Sequence, residues 1–404
     1  MKLSEELTWR GFVNQTTFND IAALDKDQIS FYFGADPSQD SMTIGNLASI
    51  MMIQHFIGHG HKAYMLVGGA TGIIGDPDGK ASERMLKTFD EIAKNKVGIT
   101  KQYSQILANH DYTLVDNYDW FKDINYLDFL RDIGKNVPMS QMLGRDFVKS
   151  RLGADGSGIS YAEFSYCLIQ GYDFLHLYRE HGVTLQLCGA DQWGNSITGV
   201  DLIRRLEKKE VNVFSTPLVI NKSTGAKFGK SEGGAIWLDA NKTSVYDFYQ
   251  YWLNVDDAGV VDYLKIYTLL DRRSIDDLNI QVQQNPGARA AQKLLANEVT
   301  TIVHGAERTA SVHRVTDVLF GEADFKTLQD DDFNILANEI PVVSTGSTLI
   351  ESLVQSKIAS SKGEARRLIT CGAVSVNSKK VSDDQVFNNT ALIKKGKNIF
   401  ILVR

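Results

Sequence analysis

The sequence predicts an α/β protein: a helix-covered parallel sheet within residues 1–220, then an all-helical region and a small α+β module. In the first part, short apolar runs alternate with amphipathic stretches, as in strands separated by helices. From residue 246 to about 320, apolar residues recur at i, i+3, i+4 and i+7, as on one face of a helix. The last sixty residues mix helical pieces with short strands around glycine-marked turns.

The first part has a predicted order of elements. The expected strands are Ile29–Gly34, His61–Gly69, Thr113–Asp116, Thr184–Cys188 and Pro217–Ile220, and the expected helices are Gly45–Gly58 and Tyr161–His181. Ligands of such sheets bind beyond the carboxyl ends of the strands. The chemistry is therefore expected in the loops Gly34–Gly45, Gly68–Lys80 and Gly189–Gly194.

The remainder is helical from Tyr246 to about Phe320. An acidic stretch around 324–332 then weakens the pattern, and Val343–Ser347 has the composition of a linker. A basic helix (SSKGEARRLITCG) and two strands (AVSVN and NIFILVR) are expected near the C-terminal end. The predicted division is 1–220, a connection 221–243, a helical domain 244–325, a linker 326–344 and a C-terminal module 345–404.

The composition excludes several classes of protein. With 404 residues, 43% apolar and 23% charged, the chain is expected to form two or three soluble domains. The three cysteines are far apart and odd in number, so a disulfide framework or zinc site is not expected, which fits a reducing cytoplasm. No run of eighteen apolar residues predicts a membrane span, and the first residues do not resemble a signal peptide.

The net charge of −6 conceals an asymmetry. Residues 345–404 contain ten Lys and Arg against four Asp and Glu, while the rest of the chain is acidic. A basic module on an acidic body favours a polyanion bound at that end, although a small basic segment can also be a solvated surface.

Two segments carry residues suited to a nucleotide. Phe31–Leu47 (FYFGADPSQDSMTIGNL) reads as strand, loop and helix start, and a helix N-terminus offers free N–H groups to a phosphate. Lys227–Ser231 (KFGKS) places two lysines three apart among glycines, a cationic clamp for a leaving pyrophosphate. Taken alone, each has an ordinary alternative, a common turn or a solvated loop. Together they match the two signatures of class I aminoacyl-tRNA synthetases.

Five motifs follow one another along the chain: GADPSQDS with TIGN, VGGATGIIGDPDGK, SYAEFSYCLIQGYDFLHLY, LQLCGADQWGN and KFGKSEGGAIWLD. In order and spacing they resemble those of the bacterial-type tyrosyl-tRNA synthetases, over almost the whole chain. The resemblance implies a Rossmann-like catalytic domain, a helical anticodon-binding domain and a C-terminal S4-like RNA-binding domain.

The residues also indicate the amino acid. Tyr166, Gln170 and Asp173 follow i, i+4 and i+7, so one helix face presents all three. Asp173 and Tyr32 could hydrogen-bond a phenolic hydroxyl, while Asp76, Tyr166 and Gln170 could accept from an α-ammonium. Phenylalanine would leave the hydroxyl's partners unpaired, a discrimination for which this family is a known example. For Tyr166 and Gln170 alone, an ordinary buried helix face is the alternative.

The resemblance implies further roles. Asp36 and Thr71 are expected beside the amino acid and ATP, and Gln192 at the substrate carboxylate. The expected nucleotide contacts are Gly45 and Asn46 in the first signature, Gly189 and Asp191 at the ribose, and Leu218 and Val219 at the adenine. Pyrophosphate ligands are expected at Lys80, Arg84, Lys227 and Lys230, with surface charge as the alternative for the first two.

The first signature departs from the family pattern. Members usually carry H-x-G-H, and here Thr43 and Asn46 replace the two histidines. Asn46 keeps a donor, and Ser38 keeps a hydroxyl where the family commonly has Thr. Our hypothesis is that Thr43 still donates to the phosphates, while activation relies more on the lysines and on Arg84.

The implied reaction activates L-tyrosine with ATP to tyrosyl-adenylate and then esterifies the terminal adenosine of tRNA(Tyr). It needs positioning and charge stabilisation, with no general base or covalent nucleophile. Magnesium is expected to arrive with ATP, without a dedicated protein site. The basic helix with Lys362, Arg366 and Arg367 suits contacts with structured RNA. By resemblance the protein is a cytoplasmic homodimer with its two-fold contact near Tyr161.

Two other functions remain open from the sequence. A tryptophanyl-tRNA synthetase shares the fold and both signatures, but the S4-like module and the pair Tyr32 and Asp173 argue against it. A catalytically inactive RNA-binding paralogue is favoured only by Thr43, and the intact KFGKS, Asp76 and Asp191 oppose it.

Overall fold

The computed structural model describes residues 1–77, 86–144, 146–153, 158–231, 234–321 and 323–404. The chain forms two compact units, one of residues 1–243 and 252–295 and the other of residues 244–251 and 296–404. The domain boundaries predicted from the sequence stay predictions.

The first unit contains a six-stranded sheet in the order β1-β6-β5-β2-β3-β4. Its strands are β1 (Gln15–Thr16), β2 (Ser30–Ala35), β3 (Lys62–Val67), β4 (Tyr112–Val115), β5 (Leu185–Gly189) and β6 (Asn212–Thr216). The five strands from β2 to β6 pair in parallel, as predicted, and β1 adds an antiparallel edge that the sequence did not indicate. A small hairpin follows, made of β7 (Lys230–Ser231) and β8 (Gly234–Ala235).

One predicted strand is wrong. Pro217–Ile220 is not a strand of this sheet, because the last strand, β6, ends at Thr216. Proline has no backbone N–H to donate to a ladder, so Pro217 terminates the pairing. The strand lies immediately upstream, in Asn212–Thr216, whose last four side chains are buried.

Helices surround the sheet. Those of the first unit are α1 (Leu3–Arg10), α2 (Ile44–Gly58), α3 (Gly69–Ile74), α4 (Phe89–Ile106), α5 (Tyr118–Phe121), α6 (Tyr126–Asp132), α7 (Met139–Leu143), α8 (Asp146–Leu152), α9 (Tyr161–His181) and α10 (Trp193–Glu207). The predicted helices at α2 and α9 are confirmed. Helix α2 is apolar on most of its faces and therefore buried, as such helices are.

Helices α9 and α10 pack closely on each other. A Cβ at Gly199 would lie 2.8 Å from Cβ of Phe174, and one at Gly171 would lie 2.9 Å from Cγ2 of Thr198. Glycine at these two positions lets the backbones approach, and Phe174, Leu177 and Leu202 then share one apolar core. The close packing fixes α9, whose other face carries predicted site residues.

The region predicted to be helical is confirmed as helical. It contains α11 (Val245–Leu253), α12 (Val260–Tyr267), α13 (Arg272–Gln284), α14 (Ala290–His304) and α15 (Ala306–Phe320). Within the first unit, the buried Arg10 donates to the carbonyls of Lys265, Thr268 and Leu270 at 2.8–2.9 Å, so α1 caps the end of α12. Among the described residues, no helix has both the length and the apolar content needed to cross a bilayer.

The second unit ends in a five-stranded sheet in the order β11-β10-β12-β13-β9. Its elements are α16 (Asp330–Glu339), β9 (Val342–Val343), α17 (Leu349–Gln355), α18 (Lys362–Thr370), β10 (Val374–Val376), β11 (Lys379–Lys380), β12 (Ala391–Lys395) and β13 (Ile399–Val403). The predicted basic helix and the strands near 374 and 400 are confirmed. The stretch 326–344, expected as a linker, holds α16 and β9. Leu336 of α16 is fully buried against Leu402 and Phe400, which explains why this polar segment is ordered.

A buried ion pair holds the start of α9. Arg151 donates two hydrogen bonds to the Glu163 carboxylate (3.0 and 2.8 Å) and one to the carbonyl of Gly158 (2.7 Å). The two side chains are only 4% and 3% exposed. Either charge would be left buried without its partner if the other were removed.

Replacing Arg151 with Met should therefore lower the free energy of unfolding by about 3–5 kcal/mol. Chemical denaturation followed by circular dichroism measures this. Arg131→Met is the matched control, because Arg131 pairs with Asp132 on the surface and its removal should leave the free energy of unfolding nearly unchanged. Adding Glu163→Leu to Arg151→Met should restore most of the loss, and equal losses in the single and double variants would contradict the assignment.

Candidate active site

A cavity of about 340 Å³ opens at the carboxyl ends of β2, β3, β5 and β6. This is where ligands of open parallel sheets bind. Most of the predicted site residues line it: Tyr32, Asp36, Ser38, Thr43, Gly45, Asn46, Thr71, Asp76, Tyr166, Gln170, Asp173, Gly189, Asp191, Gln192, Leu218, Val219 and Lys227.

The other predicted residues lie elsewhere. Lys80 and Arg84 fall outside the described residues. Lys230 belongs to β7 and pairs with Ala235, but its side chain is not described. Lys362, Arg366 and Arg367 are exposed on α18 in the second unit, as expected for a surface contact.

Helix α9 presents three polar side chains to the cavity. Ser160 caps the helix by accepting from the Glu163 N–H at 3.3 Å, and Tyr166, Gln170 and Asp173 follow on one face. Tyr32 of β2 faces the same space. The Tyr32 hydroxyl and Gln170 Oε1 are buried, and neither has a hydrogen-bond partner in the described part of the chain. Buried polar atoms are rarely left unpaired, so both indicate a ligand position.

Asp173 lies at the bottom of this end of the cavity and is 2% exposed. Its carboxylate accepts from Asn117 Nδ2 at 3.1 Å and from Trp120 Nε1 at 3.0 Å. Burial raises the pKa of Asp173 well above its usual 3.8. The two hydrogen bonds lower it in part, and the nearby Asp36 adds to the rise.

Asn117 and Trp120 were missed by the sequence reasoning. Asn117 is fully buried, and its Oδ1 accepts from the Ala70 N–H at 2.7 Å, so its amide nitrogen must face Thr71 and Asp173. A signal existed: Asn117 follows β4 closely, at the edge of the sheet where ligands bind. The loop after that strand was not included among the candidate loops.

Gln186 was missed as well. It lies in β5 opposite Tyr32, is 2% exposed and lines the cavity with an Oε1 that lacks a partner among the described residues. A single glutamine in the apolar run LQLC is weak evidence from sequence alone, because one polar residue inside a strand is common.

The wall beside α9 is rich in hydrogen-bond acceptors. The Tyr166 hydroxyl donates to Asp36 Oδ2 at 2.8 Å, and Gln192 Nε2 donates to Asp76 Oδ2 at 2.5 Å. Burial raises the pKa of Tyr166 well above 10, and the negative Asp36 raises it further. Several carboxylates around a small space favour a bound cation such as an ammonium group.

The opposite wall contains the N-terminus of α2. Both the backbone N–H and the hydroxyl of Thr43 donate to Asn46 Oδ1 at 3.0 Å. A backbone N–H can only donate, so the amide oxygen of Asn46 must face Thr43. The Asn46 amide nitrogen is then turned away from Thr43.

The KFGKS segment meets this wall. Phe228 N–H donates to the Val219 carbonyl at 2.9 Å, and Lys227 bridges to Ile220, so the segment continues the wall formed by Leu218 and Val219. Gly229 has a positive φ of +96°, and a Cβ there would lie 2.9 Å from Cγ1 of Ile44. The two signature segments, about 180 residues apart in sequence, thus enclose one end of the cavity.

Two family models match this chain. Residues 24–321 match the model described as tRNA synthetases class I (W and Y), and residues 332–404 match that of the tyrosine–tRNA ligase SYY-like C-terminal domain. A relative from Bacillus cereus, named tyrosine–tRNA ligase 2, is 43% identical over 422 positions that cover 100% of both chains.

Solved structures share the fold. A C-terminally truncated mitochondrial tyrosyl-tRNA synthetase of Aspergillus nidulans is 28% identical, with a TM-score of 0.70, and the match covers 77% of this chain and 92% of that one. A tryptophanyl-tRNA synthetase of Encephalitozoon cuniculi bound to tryptophan is 14% identical, with a TM-score of 0.56, over 82% of this chain and 91% of that one. The second likeness concerns the fold alone.

Asn117→Ala should lower the free energy of unfolding by about 2–4 kcal/mol, because it removes one hydrogen-bond partner each from the Ala70 N–H, the buried Thr71 hydroxyl and the buried Asp173 carboxylate. Urea denaturation measures the loss. The exposed Asn125 is the matched control, since it only caps α6 through the Leu127 N–H, and Asn125→Ala should cost about 1 kcal/mol. Equal losses would show that the Asn117 network contributes no more than an ordinary cap.

Proposed function

The chain belongs to the class I tRNA synthetases as a tyrosine–tRNA ligase, and we propose that this cavity performs the activation of L-tyrosine through the residues described below. The Tyr32 hydroxyl carries the proposal. It is buried, lines the cavity and has no partner among the described residues. Burial raises the pKa of Tyr32 well above 10, and the nearby Asp173 carboxylate raises it further. A phenolic hydroxyl placed there would accept from Tyr32 and donate to Asp173.

The rest of the amino acid follows from this anchor. When the ring of the substrate lies against Tyr32 and α9, its α-ammonium group reaches the acceptors of Asp76, Tyr166 and Gln170. The Gln192 amide nitrogen donates to Asp76 in this structure and can turn to donate to the substrate carboxylate instead. Asp36 holds Tyr166 in place, and Thr71 is held by Asn117.

ATP, which the family uses, would occupy the wall formed by the two signature segments. Gly45 and Asn46 would contact the nucleotide at the start of α2, Gly189 and Asp191 would hold the ribose, and Leu218 and Val219 would cover the adenine. Ser38, Thr43, Lys227 and Lys230 would stabilise the phosphates, joined by Lys80 and Arg84. Magnesium would enter bound to ATP.

In the first step, the tyrosine carboxylate attacks the α-phosphorus in line, the bond to the bridging oxygen breaks, and pyrophosphate leaves. The protein contributes orientation of the two reactants and positive charge at the leaving group. In the second step, a hydroxyl of the terminal adenosine of tRNA(Tyr) attacks the tyrosyl carbonyl and AMP leaves. Lys362, Arg366 and Arg367 on α18 would contact the tRNA backbone.

We also propose a homodimer. In the first unit, an apolar groove of about 240 Å³ runs beside Tyr126, Leu130 and Tyr161, and the two tyrosines are 59% and 61% exposed. Large exposed apolar side chains around a groove are typical of protein interfaces. A cytoplasmic location completes the proposal, because Cys167, Cys188 and Cys371 form no disulfide.

Amino-acid-dependent ATP–pyrophosphate exchange tests the function. Exchange is expected with tyrosine and not with phenylalanine or tryptophan. Tyr32→Phe should lower kcat/KM for tyrosine about tenfold and leave phenylalanine unaffected, because only tyrosine loses a hydrogen bond. The matched control is Tyr103→Phe, which removes another buried hydroxyl without a partner among the described residues, outside the cavity, and should not change the kinetics.

Other results would redirect the assignment. Exchange with tryptophan would mean that the pocket binds another amino acid. Absence of exchange with all three, from folded protein that binds tRNA, would favour an inactive RNA-binding paralogue.

Tyrosine affinity should depend on pH through Asp173. The phenol donates to the charged carboxylate, whose pKa in the folded protein is raised by burial above 3.8. Affinity is therefore retained at high pH and lost as the pH falls through the raised pKa, by about tenfold per pH unit. Calorimetric titration with tyrosine, from about pH 8 down to the lowest pH at which the protein stays folded, measures the loss. Asp173→Asn should bind weakly at every pH, and a pH-independent affinity of the unmodified protein would contradict the assignment.

A further inference from the structure

The two signature segments are also joined outside the cavity, by a side-chain cluster that we call the latch: Asp40, Trp237 and Lys242. Asp40 lies in the loop between β2 and α2, and its carboxylate forms an ion pair with Lys242, just after the hairpin of β7 and β8. Lys242 Nζ also lies 4.6 Å from the ring centroid of Trp237. One ammonium group thus contacts a carboxylate and an aromatic face, a combination that orders a long side chain.

The backbone at the latch is paired as well. A bridge joins Trp237 to Thr43, and Ile44 N–H donates to the Ile236 carbonyl at 3.1 Å. Trp237 N–H donates to the Thr243 hydroxyl at 3.0 Å, which ties the turn carrying Lys242 to the same segment. The chain that leaves the KFGKS segment is therefore paired with the start of α2.

The latch lies outside the cavity. None of its three residues lines the cavity, and the Asp40 and Lys242 side chains are 32% and 28% exposed. Lys227, at the other end of the same segment, does line the cavity. Between these ends Gly229 packs against Ile44, so a shift of residues 236–243 would be transmitted towards the cationic end of the segment.

We propose that Asp40 and Lys242 are positioning residues for amino-acid activation: they hold the KFGKS segment against the N-terminus of α2, so that its lysines face the phosphates of ATP. The inference rests on the proposed function, because it assigns a role in that reaction. Neither residue lines the cavity proposed to bind tyrosine and ATP. They act by keeping Lys227 and its neighbours in place. A charged group that is displaced only slightly loses much of its stabilisation of a transition state.

The position of the latch contacts predicts which kinetic constants change when the latch is removed. The tyrosine end of the cavity is formed by β2 and α9, to which the latch makes no described contact. Loss of the latch should therefore lower kcat for activation and raise KM for ATP, while the dissociation constant for tyrosine stays the same. A merely structural pair would alter thermal stability and tyrosine affinity together.

The test is pyrophosphate exchange with Lys242→Met, Asp40→Asn and the double variant, in the full-length chain. Each single variant should lose about tenfold in kcat/KM for ATP, with tyrosine affinity by calorimetry within about twofold of the unmodified protein. The double variant should be no worse than the singles, because they remove one interaction. Lys242→Arg, which keeps the cation and its reach, should recover most of the activity.

Lys62→Met is the matched control. Lys62 Nζ lies 5.1 Å from the ring centroid of Tyr64, at the start of β3 and away from the cavity, so this variant should exchange normally. Unchanged constants in folded latch variants would overturn the proposal, as would parallel losses of tyrosine affinity and melting temperature. Absence of exchange in the unmodified chain would refute the proposed function itself, so the two failures are distinguishable.

Discussion

The site depends on one costly feature, a carboxyl group buried at the base of the cavity. Asp173 is almost inaccessible to water, and a charge in such a position must be compensated by hydrogen bonds or by its ligand. The donors come from Asn117 and Trp120, which are close to Asp173 only because β4 ends at the same edge of the sheet as β2. The parallel topology and the close packing of α9 therefore both hold this carboxyl group where it is hydrogen-bonded to Asn117 and Trp120 and also lines the cavity.

The two ends of the cavity are built on different physical principles. The tyrosine end is formed by a central strand and by a helix whose first turn is fixed by the Arg151–Glu163 pair, so its polar atoms have little freedom to adapt. The nucleotide end is formed by loops, by a helix N-terminus and by the KFGKS segment, which are joined mainly by backbone pairing. A fixed amino-acid pocket suits discrimination by unpaired polar groups.

Much of the fold and of the cavity lining could be predicted from the sequence, because helical periodicity and motif order are local signals. Tyr166, Gln170 and Asp173 follow i, i+4 and i+7, and α9 brings all three into the cavity. The strand predicted at Pro217–Ile220 was wrong because the prediction relied on apolar character alone and did not consider that proline has no backbone N–H to donate. Asn117, Trp120 and the Asp40–Lys242 pair were not found, since they depend on which strands are neighbours and on contacts between residues far apart in the chain.

The unusual first signature can be understood from the same local geometry. A histidine at position 43 would reach across the cavity towards a phosphate, whereas the shorter threonine donates to Asn46 within its own turn. Donation to a phosphate would require the hydroxyl to leave that partner, so our hypothesis of a direct contact carries a cost that histidine would not have. The same bond turns the Asn46 amide nitrogen away from Thr43, while the first N–H group of α2, that of Ile44, already donates to the Ile236 carbonyl. Charge stabilisation at the leaving group must then come largely from the cationic segments, which makes the placement of the KFGKS segment against α2 important for the proposed reaction.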